Sequence, residues 1–325
     1  MKAIWGGNMK IAVLTSGGDA PGMNPAIRAV VRAGLNSGHE VYGVMDGYVG
    51  LTEGNFEKMS RKSVSEILQK GGTILGTARL KSFQEIEVRQ KALEHLKKAG
   101  IDCLVVIGGD GTYRGAQALT EMGFPVIGIP GTIDNDLAGT DFTIGFHTAL
   151  DTIVDAIDKL RDTASSHQRC SIVETMGRNC GDLAIMAGLS CGAEFIITQE
   201  HQMEKEDLIN RLKIHKNEGR RNAIIVITEN ITNVHDLADE ITEKSGFACR
   251  ATVLGYVQRG GSPSAEDRIL AGRMGAYAID LINHHTFGVA IGVMNSKMMY
   301  LPFKEVLSMK NASTEELYQL VSKIS

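Results

Sequence analysis

The sequence predicts an α/β protein with parallel sheets flanked by helices, and two observations carry the prediction. Short, almost wholly apolar runs alternate with longer amphipathic stretches, the pattern of parallel strands covered on both faces and joined by crossover helices. Three glycine-rich segments follow directly after such runs, where an open parallel sheet places its ligand loops. At 325 residues the chain is long enough for two domains.

Taken in order, strands are predicted at Ile11–Thr15, Val41–Met45, Cys103–Ile107, Val126–Ile129, Ser171–Val173, Phe195–Thr198, Ala223–Thr228, Thr252–Leu254 and Gly288–Val293. Each is a short apolar run of strand length. Between them, apolar residues at helical spacing predict helices at Met23–Asn36, Phe83–Ala99, Tyr113–Met122, Phe146–Ala164, Gly181–Leu189, Lys205–Glu218, Val234–Lys244 and Ala265–Asn283. The stretch Met1–Asn8, which holds the only tryptophan, Trp5, is out of place before Met9 and lacks the apolar region of a signal peptide. It reads as a vector-derived or mis-assigned start.

Composition narrows the functional classes. Apolar residues make up 43% and charged residues 22%, ordinary for a globular protein. A net charge of −4 argues against nucleic acid as the main partner, and no run reaches the ~20 apolar residues of a membrane span. The five cysteines, Cys103, Cys170, Cys180, Cys191 and Cys249, are odd in number and lack C-x-x-C spacing. They read as free thiols in a reducing, cytoplasmic setting. His147 and His167 lack metal-ligand spacing, and no zinc site is assigned to them.

The loops suggest phosphate chemistry. Gly108-Gly109-Asp110-Gly111-Thr112 supplies backbone N–H groups, glycines for close approach and a carboxylate for Mg²⁺. The P-loop, dinucleotide-fold and protein-kinase motifs are missing. In Thr132-Ile133-Asp134-Asn135-Asp136, one carboxylate is placed to act as base toward an acceptor hydroxyl while the other balances metal or charge. Each segment also reads as an ordinary turn, tight or Asx-rich, so it is their combination that points to phosphoryl transfer.

Here a resemblance becomes specific. Leu14-Thr15-Ser16-Gly17-Gly18-Asp19-Ala20-Pro21-Gly22-Met23-Asn24, the two loops above, Met176-Gly177-Arg178 and Gln258-Arg259-Gly260-Gly261-Ser262-Pro263 occur in the order found in bacterial ATP-dependent 6-phosphofructokinases. The likeness runs from about Lys10 to past Gly292. It implies MgATP-dependent phosphorylation of the 1-hydroxyl of fructose 6-phosphate. The implied ATP site comprises Gly18, Arg79, Gly108, Gly109, Asp110, Gly111 and Thr112, with Asp110 toward Mg²⁺. Asp134 resembles the general base, Thr132 and Asp136 its helpers, and Arg178 the arginine that steadies the transferring phosphoryl group. Thr132, Ile133, Asp134, Met176, Gly177, Arg178, Glu229, Tyr256, Val257, Gln258 and Arg259 resemble sugar-phosphate contacts. Arg169 and Arg250 resemble arginines that reach the 6-phosphate from a neighbouring subunit of a homotetramer.

Arg28, Arg32, Arg61, Arg161, Glu194, Arg220 and Arg221 resemble an inter-subunit effector site for ADP or phosphoenolpyruvate. Lys62 and Glu218 depart from the family pattern beside that site, which predicts altered effector strength. Tyr256 stands where the family usually has histidine. Because tyrosine is neutral near pH 7, a lower affinity for the 6-phosphate or a flatter pH dependence is expected. Glycine at 111 and at 131, where pyrophosphate-dependent relatives typically carry aspartate and lysine, points to ATP as donor. The domain division the resemblance implies is 1–144 with 257–307, a larger ATP-binding part, and 145–256 with 308–325, a smaller sugar-phosphate part, the active site lying between them. Alternatives are a pyrophosphate-dependent enzyme, an NAD-kinase-like enzyme with the same glycine loop, and a non-catalytic sensor of sugar phosphate or nucleotide.

Overall fold

Registers between parallel strands, more than any single element, place the loops of this protein. The computed structural model describes residues 7–310 and 314–324; the first six residues of the stretch Met1–Asn8, Trp5 among them, lie outside the described residues. In chain order the elements are β1 (Lys10–Ser16), α1 (Met23–Asn36), β2 (Glu40–Val44), α2 (Gly47–Glu53), β3 (Phe56–Lys58), α3 (Ile86–Ala99), β4 (Cys103–Gly108), α4 (Asp110–Glu121), β5 (Val126–Pro130) and α5 (Phe146–His167). There follow β6 (Arg169–Thr175), α6 (Asp182–Cys191), β7 (Phe195–Ile197), α7 (Lys205–Asn217), β8 (Ala223–Thr228), α8 (Val234–Ser245) and β9 (Ala248–Val253). The chain ends in α9 (Ala265–Asn283), β10 (Val289–Met294), β11 (Lys297–Pro302), α10 (Phe303–Ser308) and α11 (Glu315–Ile324).

Packing divides the chain into two units. The first comprises Met1–Ile133, Leu137–His147 and Arg259–Ala312; the second comprises Asp134–Asp136, Thr148–Gln258 and Ser313–Ser325. The first holds a seven-stranded sheet in the order β11-β10-β5-β4-β1-β2-β3. Its five inner strands are parallel, and the edge strands β3 and β11 are antiparallel to their neighbours. The inner strands read as continuous apolar runs because both faces are covered: all six residues of β4 are buried. The core on one side gathers Leu14, Leu104, Val106, Tyr113 and Phe303, with Tyr48 stacked on Phe83 at 4.1 Å between ring centroids.

On the other side α1 lies against α9. A Cβ added at Gly275 would come within 2.6 Å of the Ala29 Cβ and 2.9 Å of the Ala26 carbonyl oxygen, so glycine sets how closely the two helices approach. Gly275→Val should lower the melting temperature by about 2–5 °C, since backbone cannot yield to the added atoms and overpacking costs about 1–3 kcal/mol. A thermal melt indistinguishable from wild type would refute this.

The second unit holds a four-stranded, fully parallel sheet in the order β7-β8-β6-β9. Ile172, Ile225, Leu212, Phe195 and Phe247 form its core on one face. All five cysteines are free, four of them buried and Cys191 partly so. Burial pushes the Cys103 thiol up to about 12, so it stays protonated and inert.

Three differences from the sequence reading have plain causes. β9 begins at Ala248 rather than Thr252 because Ala248-Cys249-Arg250 alternates exposed and buried, as an edge strand does, and shows no apolar run. α4 begins at Asp110, through Gly111, because an acidic residue in the first turn suits the helix N-terminus. β3, β11, α2 and α10 are short or partly exposed, which leaves little periodicity to read.

Candidate active site

In the first unit three loops leave the sheet at one level. Ser16 pairs with Gly108, and Gly108 with Pro130, so the chain departs at Gly17, Gly109 and Gly131 side by side. Strand order also reverses here, β1 leading to β2 on one side and β4 to β5 on the other; such a switch point is where open α/β sheets hold ligands. Gly108 has no room for a side chain, because a Cβ would run into the Ser16 carbonyl and the Thr112 hydroxyl. That hydroxyl donates to the Ser16 carbonyl at 3.0 Å, so Thr112 joins two of the loops. A Cβ at Gly111 meets nothing within 4 Å; the Thr112 and Tyr113 N–H groups donate to the Gly109 carbonyl at 3.0 and 3.1 Å, which leaves the Asp110 and Gly111 N–H groups without an acceptor in the helix. Asp110 pairs with Arg114 one turn on, at 2.9 Å.

The other first-unit residues gather round this edge. Thr77 donates to the Gly17 carbonyl at 2.8 Å, which brings the chain leading to the exposed Arg79 alongside the exit of β1. A Cβ at Gly18 would stand 3.1 Å from a guanidinium nitrogen of Arg259. The Thr132 side chain lies beside Gly109, 3.6 Å from where its Cβ would be. Ile133 is buried, 2% exposed, and offers a ligand only its backbone.

In the second unit Asp134, Asn135 and Asp136 lie beside the turn from β6 to α6. The Arg178 guanidinium stands 3.6 Å from Asp136 Oδ2, and the Arg178 N–H donates to Glu229 Oε1 at 3.0 Å. Asn135 Nδ2 donates to Asp182 Oδ2 at 2.8 Å. Gln258, fully buried, accepts from the Met176 N–H at 3.1 Å and donates to the Gly255 carbonyl at 2.9 Å. Its side chain therefore ties two loops together. A cleft of about 240 Å³ opens here, lined among others by Glu174, Thr175, Met176, Glu229, Val253 and Tyr256. Burial and then the charge of Glu229 push the Glu174 carboxyl above the usual range. Tyr256 and Val257 are exposed. Register pairs Arg169 with Ala248 and Ser171 with Arg250, which sets both arginines on one face of the β6–β9 pair. Glu174, Thr175 and Asp182 were missed by the sequence reading; the signal available was a polar residue at the carboxyl end of a buried strand or at the start of the next helix.

The arginines assigned to an effector divide between the units. In the first, Arg28 and Arg32 stand one turn apart on α1. Burial and then the charge of Arg32 lower the Arg28 pKa. The Arg61 guanidinium donates to Asn36 Oδ1. In the second, Arg161 donates to the carbonyls of Cys191 and Gly192 at 2.7 and 3.0 Å and lies 3.9 Å from Glu194. Arg220 pairs with Glu218 at 3.7 Å, and Arg221 is exposed.

Comparison with known proteins places this arrangement. The family model described as phosphofructokinase matches residues 10–282. A Photobacterium profundum protein named ATP-dependent 6-phosphofructokinase is 55% identical over 316 residues, 97% of this chain and 99% of that one. A Vibrio campbellii protein of the same name is 54% identical with the same coverage. Among solved structures, phosphofructokinase from Saccharomyces cerevisiae superposes with a TM-score of 0.89 at 35% identity, over 97% of this chain; the chain spans about half, 50%, of the yeast one. A pyrophosphate-dependent phosphofructokinase from Marinobacter aquaeolei shares the fold, with a TM-score of 0.84 at 19% identity over 95% of this chain and 86% of that one.

Proposed function

Because the chain belongs to the phosphofructokinase family, we propose that it transfers the γ-phosphoryl group of MgATP to the 1-hydroxyl of fructose 6-phosphate, giving fructose 1,6-bisphosphate and ADP. The observation that carries the assignment is the second-unit cluster in which the Arg178 guanidinium stands 3.6 Å from Asp136, two residues along the chain from Asp134. A carboxylate to take the hydroxyl proton and a guanidinium to meet phosphoryl charge are what this transfer asks of a protein.

Asp134 is the base, with Thr132 and Asp136 in support. Gly18, Arg79, Gly108, Gly109, Gly111 and Thr112 form the nucleotide site. Backbone N–H groups face the phosphates, and the open space at Gly111 supports that role. Glycine at 131 has a packing reason of its own, since a Cβ there would lie 2.9 Å from the Ile107 side chain. Among the described residues no group of three His, Cys, Asp or Glu side chains could hold a metal. A magnesium ion would be held by one carboxylate, Asp110 in the first turn of α4, together with nucleotide phosphates and water. When bound it neutralises phosphate charge.

Met176, Gly177, Glu229, Tyr256, Val257 and Arg259 hold the sugar phosphate, with Ile133 contributing backbone and Gln258 holding loop shape. Arg169 and Arg250 serve the 6-phosphate of a neighbouring site in a homotetramer; their common face supports this. ADP or phosphoenolpyruvate binds at Arg28, Arg32, Arg61, Arg161, Glu194, Arg220 and Arg221. The crowded charges of Arg28 and Arg32 favour an anion, while Glu218 offsets Arg220 and weakens the effect. The enzyme works in the cytoplasm; among the described residues no helix is long and apolar enough to cross a membrane.

The deciding experiment is a coupled assay of the purified protein. Fructose 6-phosphate with MgATP should give fructose 1,6-bisphosphate, and pyrophosphate as sole donor should give none. Turnover with pyrophosphate and none with ATP would overturn the assignment.

A further inference from the structure

We propose that Asp182 is a positioning residue for the acidic loop: through Asn135 it fixes the backbone that presents Asp134 and Asp136. The inference rests on the functional reading above, because it is the work of those two carboxylates that makes the tether matter.

Asn135 sits between the two aspartates with φ +53°, in the left-handed region that few residues other than glycine and asparagine adopt readily. Its Nδ2 donates to Asp182 Oδ2 at 2.8 Å across 47 residues of sequence. Its carbonyl accepts from the buried Cys180 thiol at 3.8 Å, a weak bond that adds direction. So both the side chain and the backbone of Asn135 are held by the one turn that leads into α6.

That turn is itself pinned. Gly181 donates its N–H to Glu200 Oε1 at 3.1 Å, and a Cβ at Gly181 would come within 2.6 Å of the Thr198 Cβ, so the turn packs closely on the chain that follows β7. Asp182 is the first residue of α6, where the N-terminal end of the helix favours a carboxylate. Burial raises its pKa, while hydrogen bonds from Asn135 and Cys180 act in the opposite direction. The same turn carries Arg178, with φ +60°, beside Asp136. The acidic loop and the turn are thus joined at Asn135–Asp182, Cys180–Asn135 and Arg178–Asp136. Asp182 touches no reacting atom; it acts by holding base and guanidinium in one frame. A misplacement of about 1 Å can cost about 10²-fold in rate.

The test is a double-mutant cycle on the full-length enzyme. Asp182→Ala should lower kcat about 30- to 100-fold and leave KM for ATP within about twofold. Asp182→Asn, which keeps an acceptor oxygen, should recover activity to within about threefold of wild type. Asn135→Gly keeps the backbone freedom at positive φ but loses the donor, and should match Asp182→Ala. The double variant should be no worse than either single change, because both remove one interaction. Wild-type kcat in Asp182→Ala or in Asn135→Gly, losses that multiply in the double variant, or an Asp182→Asn enzyme as slow as Asp182→Ala would each overturn the proposal. Should Asp182→Ala fail to fold, Asp182→Asn and Asn135→Gly decide alone. If the wild type itself does not phosphorylate fructose 6-phosphate, the functional reading falls. The tether is then read by amide exchange of Asn135 and Asp136, expected to be faster in Asn135→Gly and Asp182→Ala and unchanged if the tether is not there.

Discussion

An Asp134→Asn enzyme is expected to retain about a thousandth of the wild-type kcat while still binding both fructose 6-phosphate and ATP within a few-fold of wild-type affinity. A positioned general base contributes roughly 10²–10⁴-fold, and asparagine keeps the shape of the side chain but not its basicity. Asp134 is 8% exposed, so buffer bases have little access to take over. Its neighbours stay held by the bonds to Asp182 and Arg178. The loss should therefore appear in kcat, not in affinity or melting temperature. Steady-state kinetics with binding measured by calorimetry checks it; a kcat within tenfold of wild type would remove Asp134 from the chemistry.

Arg178→Ala should lower kcat by about 10²–10³-fold, the usual effect of removing one preorganised group facing developing charge. KM for each substrate should change little, as for an interaction made mainly in the transition state. Stability should be almost untouched: the side chain is 60% exposed and its pairing with Asp136 is long, at 3.6 Å, so the ion pair contributes little to folding. Arg178→Lys should recover only part of the rate, because an ammonium keeps the charge and loses the planar fork. An alanine variant that fails only through a raised KM would recast Arg178 as a ground-state contact.

The parts of this protein that could be read from sequence are those decided locally. β1, β4 and β5 are apolar runs because both faces are covered, and α1 has strong enough spacing for its ends to be read. The first-unit loops were legible for the same reason, since glycines after a strand constrain the backbone within a few residues. β9 was placed late because its inner half alternates with an exposed edge. What decides the second-unit cluster is pairing at long range. Asp182 meets Asn135 from 47 residues away, and Gln258 meets the Met176 N–H from 82. Glu174 becomes a cleft residue only because β9 lies beside β6, with Val253 as its register partner. A sequence pattern can nominate Gln258 as part of the site; only packing reveals that its amide faces backbone on both sides.

The two sheets also differ in when they can be completed as the chain leaves the ribosome. All four strands of the second sheet lie within one stretch, from Arg169 to Val253, so it can close as soon as that stretch emerges. The first sheet has β1 to β5 early, yet β5 must wait for β10, at Val289–Met294, before its outer edge is covered. At about 5–20 residues per second that edge stays open for roughly ten to thirty seconds of synthesis. An unpaired apolar strand is a template for wrong partners. The wait of β5 for a strand encoded near the end of the message thus leaves an apolar edge exposed during biosynthesis.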